Sequence, residues 1–154
     1  MRCLIDKNRM NKIDSCLLTR LILVCYYKNN KGNHIGGITY IHDERVNTVK
    51  HATDGWRVIG TPKWNAVLAA EYLPEPDTAL IGRLRFTDSQ LVNDRGVTSP
   101  SFTIFALGIR HKTTINAVPV TLSAMCYNVF DKNYFTIDDL GEPRTFMVSA
   151  QFDL

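Results

Sequence analysis

The sequence predicts an all-β fold: a partial antiparallel transmembrane β-barrel whose roughly six C-terminal strands form a curved open sheet. Three observations lead there. Strand-length runs alternate apolar and polar residues, the connections between them alternate short and long, and aromatic residues gather near the ends of the runs. The last run shows the alternation most plainly. Phe146, Val148, Ala150, Phe152 and Leu154 hold the even positions, while Thr145, Ser149, Gln151 and Asp153 hold most of the odd ones. One face of such a strand seeks an apolar medium and the other seeks water.

The same reading recovers five earlier runs. In 36–45, Ile38 and Tyr40 share one parity and Thr39 and Asp43 the other. In 64–72, the even positions are Trp64, Ala66, Leu68, Ala70 and Tyr72. Pro74-Glu75-Pro76-Asp77 then makes a tight turn, since proline presets φ and aspartate tolerates turn geometry. In 80–87, Leu80, Gly82, Leu84 and Phe86 alternate with Arg83, Arg85 and Thr87. Asn93-Asp94-Arg95-Gly96 leads to 103–110, where Thr103, Phe105, Leu107 and Ile109 oppose Ala106, Gly108 and Arg110. A short connection at 113–117 precedes the run at 120–130. Runs of about 9 to 13 residues suit a tilted strand crossing a bilayer. Barrels of the outer membrane keep short turns on the periplasmic side, so residues 46–61, 92–100 and 131–142 are expected to face outward and the C-terminus to face the periplasm.

A soluble, lipocalin-like β-barrel binding module also alternates and stands as the alternative. Three details favour the membrane. The runs are long, the polar face carries Glu71, Arg83 and Arg85 at mid-strand, and Trp64, Tyr72, Phe86, Phe102, Phe130 and Tyr134 sit where an interfacial girdle belongs.

Composition removes other classes. The 154 residues carry a formal charge of +3 with scattered Lys and Arg, so no nucleic-acid partner is expected. Cys3, Cys16, Cys25 and Cys126 form no CxxC pair and have no ligand-like spacing to His34, His42, His51 or His111. Metal sites and cofactors are therefore not expected, and the first three cysteines read more readily as free thiols than as a disulfide framework, with a single disulfide among them left open. Asp138-Asp139 reads as a solvated pair. Ser101 and Ser123 lack a His–Asp partnership, so no catalytic residue is assigned and the chain does not read as an enzyme. The apolar stretch 21–27 falls far short of the roughly 20 residues of a membrane-spanning helix. No secretory signal is visible.

Four stretches carry a family resemblance: Gly36-Gly37-Ile38-Thr39-Tyr40-Ile41, Gly60-Thr61-Pro62-Lys63-Trp64-Asn65-Ala66, Asn128-Val129-Phe130-Asp131-Lys132-Asn133-Tyr134, and Gly141-Glu142-Pro143-Arg144-Thr145-Phe146. In this order and spacing, residues 34–154 resemble the C-terminal part of a TonB-dependent siderophore receptor of the ferrichrome type. The resemblance implies a plugged barrel of 22 strands in the outer membrane, with a ferric siderophore and the TonB system as partners of the full-length parent. It also implies that outer-membrane lipid and the missing barrel strands surround this part. The family's plug, TonB box and earlier strands have no match here, so the chain reads as a fragment that does not transport alone. Residues 1–33 read as an unmatched N-terminal segment. Leu154 replaces the usual terminal aromatic, and Ser123, Met125 and Tyr127 make their face less polar than the family pattern. On this reading Arg83 and Arg85 are candidates to attract an anionic siderophore, and Trp56, Tyr134 and Phe135 are candidates to stack on it.

Overall fold

The computed structural model describes residues 2–13, 16–46, 54–137 and 139–153, with side chains from residue 21 onward. The strands are β1 (Arg2–Ile13), β2 (Cys16–Asn29), β3 (Gly32–Arg45), β4 (Trp64–Glu75), β5 (Thr78–Thr87), β6 (Gln90–Leu91), β7 (Thr98–Ser99), β8 (Phe102–Ile115), β9 (Val118–Tyr127) and β10 (Thr145–Phe152). Eight of them form one sheet in the order β1-β2-β3-β4-β5-β8-β9-β10, with β6 and β7 a separate small pair. Every pairing is antiparallel, and β1 and β10 lie at opposite edges of an unclosed sheet.

All six expected strands are present. Residues 1–33, which had no recognisable pattern, add two more: β2 pairs with β3 from Cys16↔Arg45 to Asn29↔Gly32. Alternation failed to reveal β2 because both its parities are apolar, with Leu21 and Leu23 on one face and Ile22 and Val24 on the other. The favoured reading of the first three cysteines as free thiols gives way to the alternative left open. Cys25 is disulfide-bonded, and its register partner in β1 is Cys3. Pairing across a hairpin brings together positions that look unrelated along the chain.

At one end of the sheet the connections are two residues long: Asn30-Lys31, Pro76-Asp77 and Asn116-Ala117. Asn116 and Ala117 both have positive φ, 49° and 63°, as the twist of a two-residue hairpin demands. The expected tight turn therefore lies at Pro76-Asp77, and β4 continues through Pro74. The β4–β5 register shifts between Tyr72 and Glu75, which accommodates a residue that has no N–H to donate. At the other end, the long connections 46–63, 88–101 and 128–144 lie together.

The register sorts side chains onto two faces. Trp64, Ala66, Leu68, Ala70 and Tyr72 of β4 share a face with Leu80, Leu84 and Phe86 of β5, and with Phe105, Leu107 and Ile109 of β8. Leu122, Ala124 and Cys126 of β9 and Phe146, Val148, Ala150 and Phe152 of β10 continue it. This apolar face has no protein layer over it: Val148 is 82% exposed, and Leu68, Leu107 and Phe146 are also exposed. The only large side chain buried below 2% among the described residues is Val120.

Aromatic residues border the face at both ends. Tyr40, Trp64, Phe86 and Phe146 lie toward the long loops, and Tyr27, Tyr72 and Phe152 toward the short turns. Tyr40 and Trp64 pack ring to ring at 4.6 Å, and Phe130 meets Phe105 edge-on at 5.3 Å. Trp64 and Tyr72 are eight residues apart, about 27 Å along the strand, or roughly 20 Å in height at a tilt of about 40°. That approaches the ~25 Å apolar band of membrane barrels. Two of the expected girdle residues do not belong to it. Phe102 and Tyr134 are each 6% exposed and lie on the opposite face, because Phe102 pairs with Thr87 and so shares parity with Arg85.

Arginine placed at Leu68, mid-strand on the apolar face, should cost about 2 to 4 kcal/mol of folding stability in bilayers, whereas Ala69→Arg on the other face should cost far less. Urea titration of both variants in lipid vesicles checks this, and equal losses would remove the face assignment. Ala117→Gly should stabilise the β8–β9 hairpin by about 1 kcal/mol, since glycine adopts positive φ without a Cβ penalty. The shift in urea midpoint reads it.

Candidate functional site

The face opposite the apolar one carries the charged groups and lies under the loops. Cross-strand register places Val67, Arg85 and Ile104 in one row, and Ala69, Arg83, Ala106 and Tyr127 in the next. One row further on, Glu71 aligns with Ile81 and Gly108, and its carboxylate forms an ion pair with Arg110 of β8. Charges at mid-strand on this face need water or protein partners, never lipid.

The connection 128–144 folds over the end of these rows. Asn128, at φ 48°, donates from Nδ2 to the carbonyls of Lys132 and Glu142, both at 3.0 Å, and its Oδ1 accepts the Lys132 N–H at 2.9 Å. One buried side chain therefore ties the start of the loop to its far end. Tyr134 pins the middle. Its ring packs on Phe102 at 4.4 Å, and its hydroxyl accepts from the Glu142 N–H at 3.2 Å and from Arg85 Nη2 at 3.3 Å. Gly141 lies so close to this ring that a Cβ there would collide with it. The Arg85 guanidinium stands 5.7 Å from the Phe102 centroid and 5.9 Å from that of Tyr134. Such contacts are worth about 0.5 to 1 kcal/mol at exposed sites.

Below this stack, Val67, Arg83, Arg85, Ile104, Tyr127 and Glu142 surround a cleft of about 280 Å³. Arg83 also borders a second cleft of about 160 Å³, beside Glu71, Arg110 and Tyr26. Arg83 is exposed and has no hydrogen bond or ion pair among the described residues, so its cation is available to an anion.

The five sequence candidates thus separate. Arg83, Arg85 and Tyr134 meet at the first cleft, with Arg85 and Tyr134 already engaged with each other. Trp56 and Phe135 lie elsewhere in the loops. Trp56 borders a small pocket with Arg57, Leu91 and Gly96, and Phe135 borders another with Val92, Val97 and Ile137. The three long loops interlock: Gly60 N–H donates to the Leu91 carbonyl at 2.8 Å, Ser99 Oγ to the Phe135 carbonyl at 2.9 Å, and Arg45 pairs with Asp94. Val67, Ile104, Asn128 and Glu142 escaped the sequence reading. Their parity on β4 and β8 was a usable signal for the first two, whereas nothing local reveals that Asn128 and Glu142 meet.

Asp138 and His51 lie outside the described residues. Among the described residues no three His, Cys, Asp or Glu side chains converge to hold a metal ion. No helix there is long and apolar enough to cross a membrane.

No protein-family model matches the chain, and no curated protein matches it by sequence. Solved structures do. The ferric preacinetobactin receptor BauA from Acinetobacter baumannii superimposes with a TM-score of 0.79 over 99% of this chain and 25% of that one, at 24% identity. The fold is that of a stretch of siderophore-receptor barrel. The siderophore receptor PiuA from Acinetobacter baumannii matches 88% of this chain and 21% of its own at 18% identity, with a TM-score of 0.67. The ferric-catecholate import receptor Fiu from E. coli K12 matches 88% and 25% at 18% identity, with a TM-score of 0.61. The chain spans about a quarter of the length of these receptors. The match to BauA takes in β1 and β2 along with the strands that follow.

Asp131 closes the loop's return: its carboxylate accepts the Arg144 N–H at 3.0 Å and Arg144 Nη2 at 3.2 Å. These bonds, the backbone one foremost, hold the Asp131 pKa below its usual value. A pKa lower in the folded than in the unfolded chain contributes stability that is present above the ordinary carboxylate value and lost as pH falls through the lowered one. Protease resistance of the 128–144 loop should therefore hold from neutral pH into the carboxylate range and fall below it. Asp131→Asn should flatten that dependence, and an unchanged profile would remove the clamp.

Proposed function

We propose that this chain forms the C-terminal part of the wall of an outer-membrane receptor for TonB-dependent uptake of ferric siderophores, and that it does not transport by itself. One observation above all supports the reading. A single sheet presents an uncovered apolar face bordered by aromatic residues on one side, and on the other a charged face under three interlocked loops. Lipid fits the first face, and a wet interior beneath an extracellular mouth fits the second.

Within that reading the long loops face outward and the short turns face the periplasm. Arg83 supplies positive charge to an anionic iron complex descending past the loops, and the Arg85–Tyr134–Phe102 stack holds the loop above it in place. Trp56 and Phe135 offer aromatic surface higher in the loops, within reach of an arriving ligand rather than of Arg83. The iron comes as cargo already wrapped by its chelator, so protein ligands to iron play no part. The work of transport falls on parts of a receptor outside these strands, which makes binding and barrel closure the roles this wall fills. No residue is assigned to covalent chemistry.

A chimera tests this. The matching wall of BauA is replaced by residues 2–153 of this chain, and growth on ferric siderophores as iron source is measured in cells without other receptors. The chimera should assemble and restore growth on at least one hydroxamate or catecholate complex, with Arg83→Ala lowering uptake severalfold. The chain alone should restore none. A chimera that reaches the membrane folded but imports no siderophore would overturn the proposal.

A further inference from the structure

We propose that Arg83 and Arg85 together form one anion clamp, that Tyr134 is the residue positioning Arg85 within it, and that the clamp sets the cargo class: iron complexes of high negative charge in preference to neutral ones. The inference rests on the receptor reading above and deepens it. It comes from what surrounds the two guanidinium groups and from what holds one of them still.

Arg83 and Arg85 lie two residues apart on β5, about 7 Å along the strand, on the same face and in the same cleft. Their neighbours across the ladder carry no charge. Arg85 stands between Val67 of β4 and Ile104 of β8, and Arg83 between Ala69 and Ala106. Of the carboxylates bordering the two clefts, Glu71 is already paired with Arg110, and Glu142 is bonded through its backbone, its N–H to Tyr134 and its carbonyl to Asn128. Neither arginine forms an ion pair among the described residues. Two cations side by side without a counter-charge repel each other, and an anion shared between them relieves that repulsion. β5 lies well inside the sheet, with β8, β9 and β10 on one side and four strands on the other, so a strand beyond either edge is about 19 Å away or more across the ladder. Strands adjoining the edges therefore do not supply the counter-charge.

The two arginines are not equivalent. Arg83 makes no hydrogen bond among the described residues and is free to follow a ligand, whereas Arg85 donates from Nη2 to the Tyr134 hydroxyl at 3.3 Å. That phenol is itself fixed. Its ring packs on Phe102, the backbone at Gly141 lies against it, and the Glu142 N–H donates to the same oxygen. A phenol is neutral, so it orients the guanidinium without cancelling its charge, and the other N–H groups of Arg85 have no partner among the described residues. A guanidinium already held in place loses less freedom when an anion binds. The charge of the cargo follows from its chelator. Three catecholate dianions around iron(III) leave a triple negative charge, whereas three hydroxamate monoanions leave none, and a pair of unneutralised guanidinium groups tells the two apart.

The full chain in detergent micelles is dialysed to equilibrium against radiolabelled iron(III) complexes of a tris-catecholate and of a trihydroxamate. The tris-catecholate should bind roughly tenfold more tightly, with a preference that shrinks as salt is added. Arg83→Ala and Arg85→Ala should each weaken the tris-catecholate at least severalfold and leave the trihydroxamate unchanged. Tyr134→Phe keeps the ring and removes the oxygen. It should weaken the tris-catecholate about threefold alone or with Arg83→Ala, and have no effect once Arg85 is alanine. A Tyr134→Phe loss that persists beside Arg85→Ala would mean that the tyrosine acts through its loop, and would remove the positioning role. Equal affinity for the two complexes, or arginine variants that weaken both alike, would overturn the clamp. The same substitutions in the BauA chimera, read as binding to outer-membrane vesicles, repeat the measurement in a closed barrel. Binding is read apart from import: a chimera that imports both complexes alike ends the clamp and keeps the receptor reading, whereas charge-selective binding without import does the reverse.

Discussion

Each strand of a sheet in an apolar medium needs a neighbour on both sides, because no water is at hand to accept or donate in a neighbour's place. On the reading proposed above, that need governs this molecule more than side-chain packing does. The eight main strands form one layer, and their apolar side chains point away from any protein interior. A globular domain of this length would bury its Leu, Val and Phe residues against a second layer. Here cohesion comes mainly from the ladders, and buried apolar side chains are few among the described residues: Phe102, Leu91 and Tyr134 beneath the loops, and Ala79, Ala106 and Val120 along the strands.

The two ends of the sheet are built by opposite rules. The short-turn end uses minimal hairpins, one of which holds an alanine at positive φ for the sake of strand twist. The long-loop end spends nearly fifty residues on connections and fastens them with buried polar groups. Asn128, Ser99 and Gln90 are all buried there, and Asn128 alone makes three hydrogen bonds to loop backbone. Unpaired, such groups are costly, so their bonding holds the loops in one arrangement. The Arg85–Phe102–Tyr134 stack then couples that arrangement to the strands beneath. In consequence the loops stand over the end of the charged inner face, and Arg83 remains a cation facing open space.

Periodicity made β3, β4, β5, β8, β9 and β10 legible, and with them the apolar and charged faces, since a period of two transmits directly into sidedness. It made β2 illegible for the same reason. A strand apolar on both faces has no alternation to read, and β1 before it had only β2 to define it. The girdle was half legible: Trp64, Tyr72 and Phe86 lie on the apolar face, while Phe102 turns inward because a one-residue change of parity reverses the face, and Tyr134, in a loop, packs on it. Arg83 and Arg85 were found by charge at mid-strand, yet their difference in availability was not, because it depends on a tyrosine about fifty residues later in the chain.

What the chain determines by itself is therefore local and periodic: strand length, the alternating faces, the rhythm of short and long connections, and the placing of charge on one parity. These follow from the backbone's fixed rise and pleat, so neighbouring residues suffice to set them. Only the tertiary structure decides which strand lies beside which, that Cys25 is oxidised, that loops far apart in sequence bond into one cap, and that Tyr134 occupies Arg85 while Arg83 stays open. Those outcomes depend on register between distant segments, and register is a property of paired strands that no single strand contains.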